Sequence, residues 1–202
     1  MDLFSRPEWL APGVNWAVCG SSGVGKSSLI NRIRGLKASD DGAAAVGVTE
    51  TIVEPQCFPF PGKDKIKLWD IPGASTIKFP ADKYVVQFGL FRMSGVILVT
   101  ATRASELDVR ILALLNKFNV PWYYVRTKVD MDIQNELEDH GTEPKETVNR
   151  IRKDLVKNMR AVPGGEKLPS SRVFVVSSRV SEVHGEWDEF AKCLGKDLSE
   201  YS

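Results

Sequence analysis

Short, apolar runs alternate along this chain with stretches whose apolar residues recur every three to four positions. Asn15-Trp-Ala-Val-Cys19, Val96–Thr100, Pro121–Thr127 and Arg172–Ser177 are of the first kind and read as strands, the second of them buried on both faces. Ser28–Arg34, Ser105–Phe118, Lys145–Met159 and Gly185–Leu198 read as helices. Ser105–Phe118 gathers Leu107, Ile111, Leu114, Leu115 and Phe118 on one face, with Ser105 as its N-cap. Thr51–Phe60 and Lys65–Trp69 flank a Pro61-Gly62 turn and predict an antiparallel hairpin at one edge of the sheet. Tyr84–Arg92 is apolar on more than one side and reads as core packing. Residues 37–48 are small and acidic and predict a mobile loop. Strands alternating with helices predict an α/β fold: a mostly parallel, doubly wound sheet with one antiparallel edge strand and ligands at the carboxyl ends of its strands.

Composition narrows this picture. The chain has 202 residues, enough for a single α/β domain. We expect a lead-in over 1–13, broken by Pro7 and Pro12, and one domain over 14–202. A net charge of +1 argues against a nucleic-acid partner. Cys19, Cys57 and Cys193 lie far apart without CxxC spacing, which disfavours a disulfide framework or zinc site and predicts a reducing, cytoplasmic location. Met1-Asp2-Leu3-Phe4 does not read as a signal peptide, and with Asp at position 2 no N-myristoylation is expected. The longest apolar run, Gly95–Ala101, has the length of a strand. His140 and His184 are not spaced as metal ligands and read as surface residues, and the charged stretch 143–158 as a solvated helix face.

Four motifs carry chemistry. Gly20-Ser-Ser-Gly-Val-Gly-Lys-Ser27 fits G-x-x-x-x-G-K-[ST] and sits between a strand and a helix, the context in which such a loop cradles phosphates. Its glycines let the backbone curl several N–H groups toward one anion, and the helix dipole adds positive potential. Phosphate contacts are therefore expected from Gly20, Ser21, Ser22, Gly23, Val24, Gly25, Lys26, Ser27 and Ser28. Lys26 reaches the β- and γ-phosphates, and the Ser27 hydroxyl binds Mg²⁺. Trp69-Asp70-Ile71-Pro72-Gly73 ends an apolar strand, so Asp70 is the expected acid on the Mg²⁺ side and the Gly73 amide the sensor of the γ-phosphate.

Thr127-Lys128-Val129-Asp130 fits the [NT]-K-x-D signature for guanine. A carboxylate at Asp130 accepts from the N1–H and the 2-amino group of guanine, donors that adenine lacks. The stem of Lys128 lies over the base. Ser177-Ser178-Arg179 follows the last strand, where a backbone amide would meet guanine O6. The spacings from Lys26 to Asp70 and from Asp70 to Asp130 leave room for the strand–helix units between these loops. The four motifs, in this order, predict GTP and GDP as ligands.

Ala45-Val-Gly-Val-Thr-Glu-Thr51, the Trp-Asp-Ile-Pro-Gly run, Thr76-Ile-Lys-Phe-Pro80, Ala101-Thr-Arg103 and Tyr124-Val-Arg-Thr-Lys-Val-Asp130 resemble the immunity-related, or interferon-inducible, GTPases with their IRG-type G domain. The resemblance runs from about residue 8 to about residue 195, and the Gly-Lys-Ser of the phosphate loop is of the majority type. It implies Mg²⁺-dependent GTP hydrolysis, similar affinities for GDP and GTP, and GTP-dependent homodimers across the nucleotide face. It also implies peripheral action at intracellular membranes. Members of that family usually carry helices before and after the G domain; 14–202 is expected to hold the G domain alone, and membrane association is expected of a longer form. In the first switch, Glu50 is followed by Thr51 and Ile52, so either Thr49 or Thr51 caps Mg²⁺. Gly-Lys-Ser-Ser-Leu-Ile-Asn is also similar to ribosome-assembly GTPases, which usually show a basic face; the charge of +1 and the Thr-Lys-Val-Asp form of the guanine motif disfavour that reading.

Ras-like enzymes orient the attacking water with a Gln just after Asp-x-x-Gly. Ala74 occupies that position here, so catalytic help must come from elsewhere, and Glu50 is the candidate, in cis or across a dimer. The isolated chain is expected to be a slow GTPase. The competing reading is a GTP-dependent switch that recruits a partner without useful turnover.

Overall fold

Successive residues of the first strand serve two different cores: Trp16 and Val18 join one apolar cluster, Ala17 and Cys19 another. The two-residue period of a strand imposes this division. The computed structural model describes residues 7–10, 12–46, 54–73, 80–179 and 185–200. Among them β1 (Val14–Gly20), β2 (Gln56–Phe60), β3 (Lys63–Asp70), β4 (Gly95–Thr100), β5 (Trp122–Arg126) and β6 (Val173–Val175) form one sheet in the order β2-β3-β1-β4-β5-β6. Every pairing is parallel except β2 with β3. The helices are α1 (Lys26–Ile33), α2 (Ala81–Gln87), α3 (Glu106–Lys117), α4 (Val129–His140), α5 (Pro144–Ala161) and α6 (Trp187–Ser199).

Helices α1 and α6 cover one face of the sheet through Leu29, Ile30, Phe190 and Leu194. The other face is covered by α2 to α5, with Tyr84, Ile111, Ile133 and Leu155 among the packed side chains. Val96, Ile97, Leu98 and Val99 are all fully buried, which is why β4 reads as an unbroken apolar run. Cys19 is buried in the same layer, and its burial pushes the thiol pKa up, as for a small apolar residue rather than a reactive one.

The antiparallel edge is the expected hairpin, with a register shift between Pro59 and Phe60. Pro59 cannot donate to a ladder and is tolerated because β2 lies at the edge. Arg34 donates from Nε to the Pro59 carbonyl (3.0 Å) and from Nη1 to that of Gly42 (2.7 Å). At the opposite edge, Arg152 donates to the Val173 carbonyl (3.2 Å), and the Val175 N–H donates to Glu186 Oε2 (2.9 Å).

Two helices have no counterpart in the sequence reading. Within α4 only Val129 and Ile133 are buried, and acids fill much of the remainder, so its apolar stripe is too narrow to register as a period. Gly141, at φ +65° on its C-cap, is the stop signal that the sequence does carry. Helix α2 is only seven residues long and sits inside Tyr84–Arg92 and its approach, which does pack into the core as expected. The charged stretch 143–158 is the outer side of α5, whose inner side buries Val148, Ile151 and Leu155.

Residues 37–46 are irregular, as their composition predicts, but they are anchored rather than loose. Asn31 Nδ2 donates to the Ala44 carbonyl (2.9 Å), and the Ala44 N–H donates to Asn31 Oδ1 (2.6 Å). Both residues are buried. Residues 47–53, the rest of that loop and the first switch, lie outside the described residues.

Helix α3 opens on a capping box. Ser105 Oγ accepts from the Asp108 N–H (3.0 Å) and Asp108 Oδ2 accepts from the Ser105 N–H (3.1 Å). The same oxygen accepts from the Tyr124 hydroxyl (3.0 Å) beneath β5. Asp108 is buried, and the desolvation of its carboxylate raises its pKa above the ordinary value.

Two stability measurements test these contacts. Asn31→Ala leaves the buried Ala44 amide and carbonyl without their partner, and urea denaturation should show a loss of about 2 kcal/mol; an unchanged midpoint would contradict the anchor. Asp108 binds its proton more tightly folded than unfolded. The stability it contributes is therefore present at low pH and lost as pH rises from near 3.8 through its raised value. The difference between wild type and Asp108→Asn should carry that slope, and a difference flat in pH would contradict it.

Candidate nucleotide site

The phosphate loop leaves β1 at Gly20, where φ is +144° and a Cβ would lie 2.1 Å from the Val99 carbonyl oxygen of β4. Only glycine fits. At the other end Gly25 takes φ +95° and precedes the first residue of α1. A Cβ there would lie 3.5 Å from Thr127 Oγ1 and 3.8 Å from Ser178 Oγ. The loop therefore runs against both segments expected to meet the base. Lys26 is almost wholly buried and its ammonium donates to the Ser21 carbonyl across the loop (3.1 Å). Bound phosphate would compete for that ammonium.

Ser27 Oγ donates to Asp70 Oδ2 at 2.7 Å, joining the two expected metal-side residues across 43 positions of sequence. Asp70 is 1% exposed at the end of β3, paired in register with Val18. A hydroxyl and one carboxylate are hard oxygen donors. They suit Mg²⁺, which keeps several waters and takes few protein ligands beside phosphate oxygens. Among the described residues there is no cluster of three or more His, Cys, Asp and Glu of the kind that would hold a metal by itself. Ile71, Pro72 and Gly73 follow, and the Tyr84 hydroxyl of α2 donates to the Pro72 carbonyl at 2.8 Å. Tyr84 thus fastens the turn that carries Gly73, a role without a sequence signal, because its acceptor is a main-chain atom.

Thr127 is completely buried, and its hydroxyl lies within hydrogen-bond reach of the carbonyls of Val24, in the phosphate loop, and Thr100. Lys128 adopts the left-handed conformation (φ +62°), rare for a residue with a Cβ, as it enters α4. That turn leaves Lys128 exposed and puts Asp130 in the first helical turn, where a carboxylate is favoured by the dipole. Arg126 Nη2 pairs with Asp132 Oδ2 at 2.8 Å and ties the same turn to β5.

The last segment is held at its base. Val176 bridges Gly185, and the Glu186 N–H donates to the Val175 carbonyl (2.8 Å). Inside this pinch the Ser177 hydroxyl accepts from the Arg179 N–H (3.0 Å). Arg32 of α1 donates from Nη1 to the carbonyls of Ser177 and Arg179, the latter at 2.6 Å. Its guanidinium stacks over the Trp187 ring, 4.0 Å from the centroid. The Ser178 hydroxyl oxygen is buried with no hydrogen-bond partner. All four motifs thus meet at the carboxyl end of the sheet. Thr49, Glu50 and Ala74 lie outside the described residues.

Comparison with known proteins bears on the family and the fold. The profile of the interferon-inducible GTPases (IIGP) matches residues 11–202. The chain is 37% identical over 163 residues to interferon-inducible GTPase 5 of Bos taurus, covering 80% of this chain and 34% of that protein. It is 36% identical over 125 residues to interferon-inducible GTPase 1 of Mus musculus, covering 62% and 30%. This chain thus spans about a third of the length of such relatives. Among solved structures, elongation factor SelB of Methanococcus maripaludis in complex with the GTP analogue GppNHp superposes with a TM-score of 0.57 at 16% identity, over 95% of this chain and 35% of that one. NFeoB of S. thermophilus bound to mGMPPNP gives 0.53 at 18% identity, over 93% and 61%. At such identities these likenesses speak for the fold, which is that of P-loop GTPase G domains. The chain belongs to the interferon-inducible GTPase family.

Proposed function

We propose that this domain binds GTP and hydrolyses it to GDP and phosphate with Mg²⁺, slowly as a monomer and faster when two copies meet across the nucleotide face. The observation that carries the reading is the convergence on Gly25: Thr127 and Ser178, from the two base-reading segments, both approach the loop that would hold the phosphates. A ligand spanning a phosphate cradle and a guanine carboxylate is a guanine nucleotide. The Lys26 ammonium and the curled amides of 20–28 would bind the phosphates, and Asp130 would select the base. Ser27 and Asp70 would hold Mg²⁺, which when bound neutralises charge on the β- and γ-phosphate oxygens. Gly73 would report the γ-phosphate through the turn that Tyr84 fastens.

No Gln follows Gly73, so positioning of the attacking water falls to another residue. Glu50 is the candidate, acting in its own site or in that of a second copy, with Thr49 or Thr51 on the metal. The relatives' names support GTPase chemistry; a longer form would add peripheral association with intracellular membranes to a cytoplasmic protein. Among the described residues no helix is long and apolar enough to cross a membrane.

Specific GTPase activity should rise with protein concentration, and Lys26→Ala should abolish it. A slow rate independent of concentration would remove the dimer, and binding without turnover would leave a switch. Glu50→Ala should lose the concentration-dependent part of the rate; full retention would remove its role. Asp70→Asn should raise the Mg²⁺ concentration needed for half-maximal turnover by about 10- to 100-fold, read by Mg²⁺ titration at saturating GTP.

A further inference from the structure

Arg32 makes long-range polar contacts that neither the motifs nor the proposed chemistry uses. It lies in the last turn of α1, a helix whose first residue is Lys26, and its donors end on the main chain of Ser177 and Arg179, 145 and 147 positions away. Those two carbonyls flank Ser178. A guanidinium gripping both fixes the path of the peptide between them. The Trp187 ring stacks against the guanidinium, and Arg32 also feels the negative charges of Asp130 and Asp188. The side chain is partly buried, and its bond to the Ser177 carbonyl is better shielded from water than its exposed bond to that of Arg179. The Val176–Gly185 bridge closes the segment at its base. The segment is thus held at two places, and Arg32 is the hold that belongs to the phosphate-binding helix.

Resting on the reading of 177–179 as a guanine-binding segment, we infer that Arg32 is a positioning residue for recognition of the 6-oxo group of the base: it holds the amides around Ser178 where O6 would sit. Of those amides the Arg179 N–H is already given to the Ser177 hydroxyl, so the one meant for O6 is that of Ser178. Arg32 does not touch the base. It acts through the backbone it holds, so its loss should be felt at O6 and not at the edge read by Asp130. An acceptor-poor substituent at position 6 should be indifferent to Arg32, whereas removal of the 2-amino group should not change its effect.

The experiment compares binding of GDP, IDP and 6-thio-GDP to wild type, Arg32→Lys and Arg32→Gln by calorimetry, with a thermal melt of each nucleotide-free protein. IDP keeps O6 and lacks the 2-amino group; 6-thio-GDP keeps that group and replaces O6 by a poor acceptor. Arg32→Gln should weaken GDP and IDP alike, by about tenfold, and 6-thio-GDP by about twofold or less. Arg32→Lys restores the charge without the planar stacking group and should fall between. Equal losses for all three nucleotides would mean a general structural role and overturn the inference, as would no loss for GDP. If Arg32→Gln does not fold, Arg32→Lys alone must still show the selective loss. Wild type that binds none of the three would overturn the proposed function and this inference with it. Wild type that binds GDP beside an unaffected variant would overturn the inference alone.

Discussion

A main-chain oxygen, that of Val99, leaves no space for a side chain on Gly20, and the rest of the site depends on that exclusion. Strand β1 is flanked on both sides, by β3 and β4, and the phosphate loop must leave it at the point of closest approach. The loop's point of exit is therefore set by the sheet, and its own contacts, such as that of the Val24 carbonyl with Thr127, hold it farther along. Register then carries that position outward. Val18 is opposite Asp70, Gly20 opposite Val99, and Val99 opposite Val125 two residues before Thr127. A larger residue at 20 would push β1 and β4 apart and displace every loop at that end of the sheet.

The parts of this arrangement that were legible in the sequence are those in which residue type is itself the requirement. Glycines at a curled loop, a lysine and a serine at its end, an acid closing β3 and a carboxylate in Thr-Lys-Val-Asp each have few substitutes, so the pattern survives as a string. The central strands were legible because both faces are covered. What escaped was of another kind. Asn31, Arg32 and Tyr84 all bond to main-chain groups, those of Ala44, of Ser177 and Arg179, and of Pro72. A carbonyl is the same whatever residue bears it, so the distant half of each contact leaves no trace in composition. Helix α4 escaped because two buried side chains do not make a period.

Asn31 and Arg32 are neighbours on α1 and reach in different directions. One holds the loop that leads toward the first switch, and the other holds the segment after β6. Helix α1 is thus more than the element whose N-terminus faces an anion. It spaces two irregular segments, and a tilt of this helix would move them together.

The two borders of the sheet are each furnished against growth. At β2, Pro59 offers no N–H and its carbonyl is taken by Arg34. At β6, Arg152 takes the Val173 carbonyl and Glu186 takes the Val175 N–H. An open sheet ordinarily tempts further chains to add as extra strands, the route to fibres and precipitates. With Pro59 and these side chains set into its borders, this domain is less open to backbone-to-backbone stitching when its copies are crowded, as on a surface or in a cluster.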